Sequence, residues 1–89
     1  MGTALVRSPS VLWRLLHDRV LVLPSGGDLL TLTGTAPGVW AELSAPVTFE
    51  ALCQKLAEHY DTQPARIAPD VQHLVDQLVR VDAILEGPR

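Results

Sequence analysis

The sequence is poor in cysteine and aromatics and has no basic run, and each shortage removes a class of protein. Its 89 residues hold one cysteine, Cys53. No internal disulfide framework can form, and a lone thiol fits a reducing compartment. The same count removes the paired sulfurs of a zinc site, and His17, His59 and His73 do not share one helix at i, i+4 spacing. The histidines therefore read as solvated, and neither a metal nor a cofactor is expected. Seven Lys and Arg against ten Asp and Glu leave a net charge of −3. Nucleic acids and anionic membranes attract basic stripes, so neither is an expected partner. Arg14, His17, Asp18 and Arg19 interrupt the apolar stretch VLWRLLHDRVLVL, so it makes neither a signal nor a membrane span. Val6 stands where a myristoylation signal wants Ser or Thr. A cytoplasmic location is expected.

Catalytic parts are missing as well. Cys53 shares a helix face with Leu52 and Leu56 and behaves as a small core hydrophobe. Asp70, Asp76 and Asp82 lie six apart, so they point in different directions. Gly26-Gly27 is too short to cradle a phosphate and precedes a strand. No catalytic residue is identified, and no enzyme is expected.

The material present suits one domain. Hydrophobic residues make up 47% of the chain, yet Trp13, Trp40, Phe49 and Tyr60 are its only aromatics, so Leu and Val must build the core. Residues 1–10 read as a flexible segment, 11–85 as the domain and 86–89 as a tail. Val11 to Leu16 and Arg19 to Leu23 read as strands around a tight His17-Asp18 turn. Pro24-Ser25-Gly26-Gly27 is a second turn, and Asp28 to Thr33 a third strand ending at Gly34. The three form an antiparallel meander with its last strand at an edge.

The rest reads as helical. Thr35 can cap a helix from Ala36 to about Leu43, with Pro37 tolerated in its first turn. Thr48 caps a second, in which Phe49, Leu52, Cys53, Leu56 and Tyr60 share a face. Asp61 to Ala68 reads as a polar linker, and a third helix runs from Pro69-Asp70 to about Val81. Its Val71, Leu74, Val75, Leu78, Val79 and Val81 span an arc of roughly 160°, wider than the stripe of about 100° that an ordinary surface helix needs. One edge of that arc can face the core and the other a groove. A wide apolar helix beside an unpaired strand edge makes a peptide cleft.

In this order the features resemble the PqqD-like family, the RiPP recognition elements that bind the leader of ribosomally made, modified peptides. The resemblance runs from Val11 to Leu85. It rests on Asp18 near the first turn, the Trp40 helix after the third strand, the Thr48-initiated helix ending at Tyr60, and the Asp70-Val71 start of a Leu-rich last helix. Asp82 stands where many relatives have Gly, and Thr33 where many have Asn. The resemblance implies an α+β winged helix-turn-helix, a three-stranded antiparallel sheet followed by three helices. It also implies that a leader adds as a strand against the third strand, beside the third helix. The leader-binding residues expected are Asp28, Leu29, Leu30, Thr31, Leu32 and Thr33 on the strand. On the helix they are Val71, Gln72, Leu74, Val75, Leu78 and Val79. The partners implied are a precursor leader, a leader peptidase and a cyclase. The chain is similar in size to the separate leader-binding half of a split lasso-peptide B protein, and next to the PqqD chaperone.

Two rivals use the same features. A winged-helix DNA regulator would set the last helix in a major groove, but Asp70, Asp76 and Asp82 sit among its Gln72, His73, Gln77 and Arg80 and would repel phosphates. A weak homodimer could pair third strands edge to edge.

Overall fold

A computed structural model describes residues 3–24 and 27–88. The meander lies where the strand pattern places it. Strands β2 (Leu12–Leu15), β3 (Val20–Leu23) and β4 (Leu30–Leu32) form one antiparallel sheet in that order. Leu16 N–H donates to the Arg19 carbonyl at 2.8 Å and closes the His17-Asp18 hairpin. Asp18 and Arg19 pair at 2.9 Å, which pulls the Asp18 carboxyl below its ordinary range. In the second turn, Gly27 N–H donates to the Pro24 carbonyl at 3.2 Å; Ser25 and Gly26 lie outside the described residues.

Three helices follow, as expected: α1 (Ala36–Glu42), α2 (Phe49–His59) and α3 (Pro64–Arg80). Thr48 caps α2 by accepting from Ala51 N–H at 3.2 Å. Thr35 precedes α1 but has helical dihedrals and makes no side-chain cap. The linker expected over Asp61 to Ala68 is corrected. Pro64 occupies the first turn of α3, where its missing N–H is harmless, and Pro69 is carried inside the helix. Two prolines five residues apart hid a start that burial of Ile67 enforces.

The chain ends also depart from expectation. Thr3–Arg7 is strand β1, and Ile84–Pro88 is β6; they pair antiparallel, with two-residue β5 (Val47–Thr48) on the other side of β1. Neither a flexible first decad nor a loose tail is found across these residues. Their partner segments lie some eighty residues apart, so no local pattern announces the pairing. Arg7 N–H donates to the Leu43 carbonyl and Ser8 N–H to the Ala83 carbonyl, both at 2.9 Å. The Arg7 guanidinium stacks 4.7 Å from the Trp13 ring and 5.5 Å from that of Trp40. Trp13 meets Trp40 edge to face at 6.1 Å.

The core runs between the meander and the helices, with Val20, Val22, Val39, Trp40, Leu43, Leu52, Leu56, Val71, Leu78 and Ile84 at its centre. Trp40 is the one large aromatic in it, and its Nε1–H is buried with no acceptor among the described residues.

Both longer helices end in the same left-handed cap. Asp61 (φ 52°) and Asp82 (φ 60°) occupy the position that glycine usually takes. After α2, Thr62 N–H reaches the Ala57 carbonyl at 2.8 Å; after α3, Ala83 N–H reaches that of Leu78 at 2.9 Å. The departure at Asp82 therefore leaves a well-formed helix end. Left-handed backbone strains an L side chain, Asp less than most. Asp61→Gly and Asp82→Gly are each expected to add about 0.5 kcal/mol, raising the melting temperature by a few degrees. Alanine at either site should lower it, which thermal melts would check.

Cys53 is buried on the inner face of α2. Burial, aided by the Glu50 charge, pushes its thiol above the ordinary range. A raised folded-state pKa favours the protonated, folded form, so that stabilisation is complete below the ordinary thiol pKa of about 8.5 and fades above it. Wild type should lose more stability between neutral pH and pH 10 than Cys53→Ala does, as urea midpoints at both pH values would report.

Candidate peptide-binding site

Strand β4 sits at the end of its sheet. Val20 opposes Leu32, Leu21 opposes Thr31 and Val22 opposes Leu30, and the other side of β4 has no strand partner among the described residues. Alternation sends Leu30 and Leu32 inward, half-buried and buried, and leaves Thr31 exposed on the outer face. Asp28, Leu29 and Thr33 are exposed and flank the strand. The Thr33 carbonyl accepts from Ala36 N–H at 3.1 Å, and Gly34, at φ 67°, turns the chain away. An unpaired edge of this length offers a second chain a short ladder of backbone donors and acceptors.

The helix contribution differs from expectation. Val71, Val75 and Leu78 are 2%, 4% and 0% exposed and belong to the core, so they are corrected as groove-lining residues. Gln72 is exposed and donates from Nε2 to the Asp76 carboxylate at 2.7 Å. Leu74 and Val79 are half-buried against the core. They lie on opposite flanks. Val79 stands about three turns along from Ala68, which with Ala65, Phe49 and Cys53 lines a space of about 350 Å³ between α2 and α3. Leu74 stands one turn beyond Asp70, which faces the other way.

On that other flank lies a cavity of about 240 Å³. Thr35 supplies the wall next to the exit from β4, Tyr60 and Thr62 come from the end of α2, and Arg66, Ile67 and Asp70 come from the first half of α3. Ile67 is buried and forms an apolar floor, while the hydroxyls, the guanidinium and the carboxylate make a polar rim. Apolar floor with a few polar groups is the common build of a side-chain pocket. The sequence pattern starts α3 near Asp70, which leaves Arg66 and Ile67 in a linker. The Ile67–Val71–Leu74–Leu78 spacing, counted back from the apolar arc, is the signal that carries α3 back to Ile67.

Among the described residues no three His, Cys, Asp or Glu side chains gather to hold a metal ion. No helix among the described residues is long and apolar enough to cross a membrane. The fold is that of a small α+β domain, with a three-stranded antiparallel wing and three helices. Residues 11–84 match the family described as coenzyme PQQ synthesis protein D, PqqD. The chain belongs to the PqqD family, whose members are non-catalytic peptide-binding accessory proteins of RiPP biosynthesis. No curated protein and no solved structure matches the sequence closely enough for comparison.

Proposed function

We propose that this chain is a non-catalytic, cytoplasmic adaptor that binds the leader of a ribosomally made precursor by strand addition to β4. It then presents the leader to a leader peptidase and other maturation enzymes. The observation that carries this reading is the unpaired edge of β4 beside the Thr35–Tyr60–Arg66–Asp70 pocket. Backbone groups of Leu30 to Leu32, extended through Asp28, Leu29 and Thr33, supply the ladder; the pocket and the Leu74 flank of α3 take side chains. At about 25 cal/mol per Å² of apolar area, two or three buried anchors contribute several kcal/mol before ordering costs. A leader that is disordered when free loses part of that gain on folding. Holding it beside a peptidase raises the effective concentration of the bond to be cut. Of the pathways, lasso-peptide maturation is preferred, on the resemblance described above, with PqqD-type chaperoning next.

The test is a leader titration followed by amide exchange and repeated at two salt concentrations. The β4 amides that point away from β3 should gain protection, and affinity should change by less than about tenfold between low and moderate salt. Duplex binding releases counterions and has a steep salt slope. Unprotected β4 amides at saturating leader would overturn strand addition. A tightly bound duplex with a steep slope would restore the DNA regulator. Pairing of β4 with a second copy competes for the same edge, so any dimer should dissociate as leader is added.

A further inference from the structure

Gly38 lies inside α1, a seven-residue helix in which glycine is a poor helix former. The structure gives its missing side chain a use. A methyl group built on Gly38 would stand 3.0 Å from the Tyr60 hydroxyl and 3.5 Å from Leu56 Cδ2. The first distance is tighter than an ordinary van der Waals contact, so the phenol rests against α1 only because position 38 carries no Cβ. His59 meets the same ring edge to face at 4.8 Å. Thr35 and Gly38 are three apart and share a face of α1. Thr35 and Tyr60 both line the cavity of about 240 Å³ beside the exit from β4. Helix α1 follows β4 through a tight turn, made by Gly34 and by the bond from Ala36 N–H to the Thr33 carbonyl. The approach of Tyr60 to Gly38 therefore fixes how the end of α2 stands against the edge-strand side of that cavity.

We infer that Gly38 is a positioning residue for leader recognition, acting through Tyr60 on the pocket between α1, α2 and α3. The inference rests on the strand-addition reading, with that pocket as the seat of one apolar leader side chain over Ile67. A side chain at position 38 pushes the phenol off α1. Whether the ring then swings inward or outward, the wall that an incoming side chain packs against has moved. Tyr60 is 39% exposed, so its ring can shift without opening the core. The cost falls on the pocket and not on the fold. Alanine is also the better helix former, which sets two effects of Gly38→Ala in opposite directions. Stability is held or raised while recognition is lowered. A purely structural role would move both together.

The experiment uses the full chain and a synthetic leader, with binding read by calorimetry and melting by circular dichroism. One methyl group's worth of pocket space changes affinity by about tenfold or more, so Gly38→Ala should weaken leader binding by about tenfold. Its melting temperature should equal or exceed that of the wild type. Tyr60→Phe removes the oxygen that the new methyl meets, and the remaining neighbours at 3.5 and 3.8 Å are in ordinary contact. In the Tyr60→Phe background, Gly38→Ala should therefore change leader affinity by less than about twofold. Tyr60 is the only tyrosine, so its ring signals stand alone in the NMR spectrum. They should shift in Gly38→Ala before leader is added, and in the wild type when it is. An alanine scan of the leader should find one position whose variant binds wild type and Gly38→Ala equally. Unchanged leader affinity in Gly38→Ala would overturn the inference, as would an equal loss in the Tyr60→Phe background. So would a Gly38→Ala chain that melts well below wild type, since packing would then account for the loss. A wild type that binds no leader, or binds it with the β4 edge unprotected, sinks strand addition and this inference with it. A protected β4 edge with leader binding indifferent to Gly38→Ala sinks the inference alone.

Discussion

Val75→Asp is expected to lower the stability of the chain by about 3–6 kcal/mol, a large share of its margin. Val75 is 4% exposed and packs in the cluster that joins α3 to the meander and the other helices. Losing a buried valine costs about 1.5–3 kcal/mol, and a carboxylate without a hydrogen-bond partner in that place adds roughly as much again, even after it takes up a proton. A domain of this size has only about 5–15 kcal/mol of stability in all. Val79→Asp is the matched control. Val79 is half-buried on the α2 flank, its carboxylate can reach water, and the loss should stay near 1–2 kcal/mol. Urea titrations followed by circular dichroism would separate the two. A Val75→Asp chain that unfolds at the wild-type midpoint would remove this valine from the core and return it to the groove.

The second large effect concerns the backbone of the partner. In an extended strand, successive N–H groups point to opposite sides, so only every second leader amide faces β4. Methylating the set that faces β4 removes donors and adds bulk at the ladder, whereas methylating the other set leaves the ladder intact. Two lost hydrogen bonds, each leaving a desolvated carbonyl at about 1–3 kcal/mol, predict a drop in affinity of at least about thirtyfold for one phase. The other phase should bind within a few-fold of the parent. Calorimetric titration of the two methylated leaders would report this contrast. Equal losses in both phases, or in neither, would show that side chains rather than a ladder hold the leader.

How far the site could be read from the sequence varied from residue to residue. The strand half was open to view. Period-two alternation placed Leu30 and Leu32 opposite to Leu29 and Thr31, and a meander of three short strands must end in an edge. The helix half was harder. Val71, Leu74, Val75, Leu78 and Val79 all sit within one wide arc, and an arc does not say which margin meets the sheet and which meets a neighbouring helix. Pro64 and Pro69 compounded the difficulty by masking the first turns of α3, where Arg66, Ile67 and Asp70 line the pocket.

Alone, then, the sequence determined the local chemistry of the fold. It held the hairpin at His17-Asp18, the Thr48 cap, the core character of Cys53, the Leu-Val composition of the interior and the order of strands before helices. All of these depend on residues within a few positions of one another, and periodicity, turn and capping preferences act over that range. Tertiary structure decided the rest. Pairing of Thr3–Arg7 with Ile84–Pro88 joins segments with no local signal, and the division of the α3 arc into core, α2 flank and pocket flank depends on which elements pack on each side. It also decided that Leu12, Leu21 and Leu23 stay outside, because the inner face of the same strands was already filled by Val20, Val22 and Leu32 against Trp40 and the helices. Burial is a property of the assembled chain, since a leucine in a strand has the same local preferences whichever face the helices come to cover.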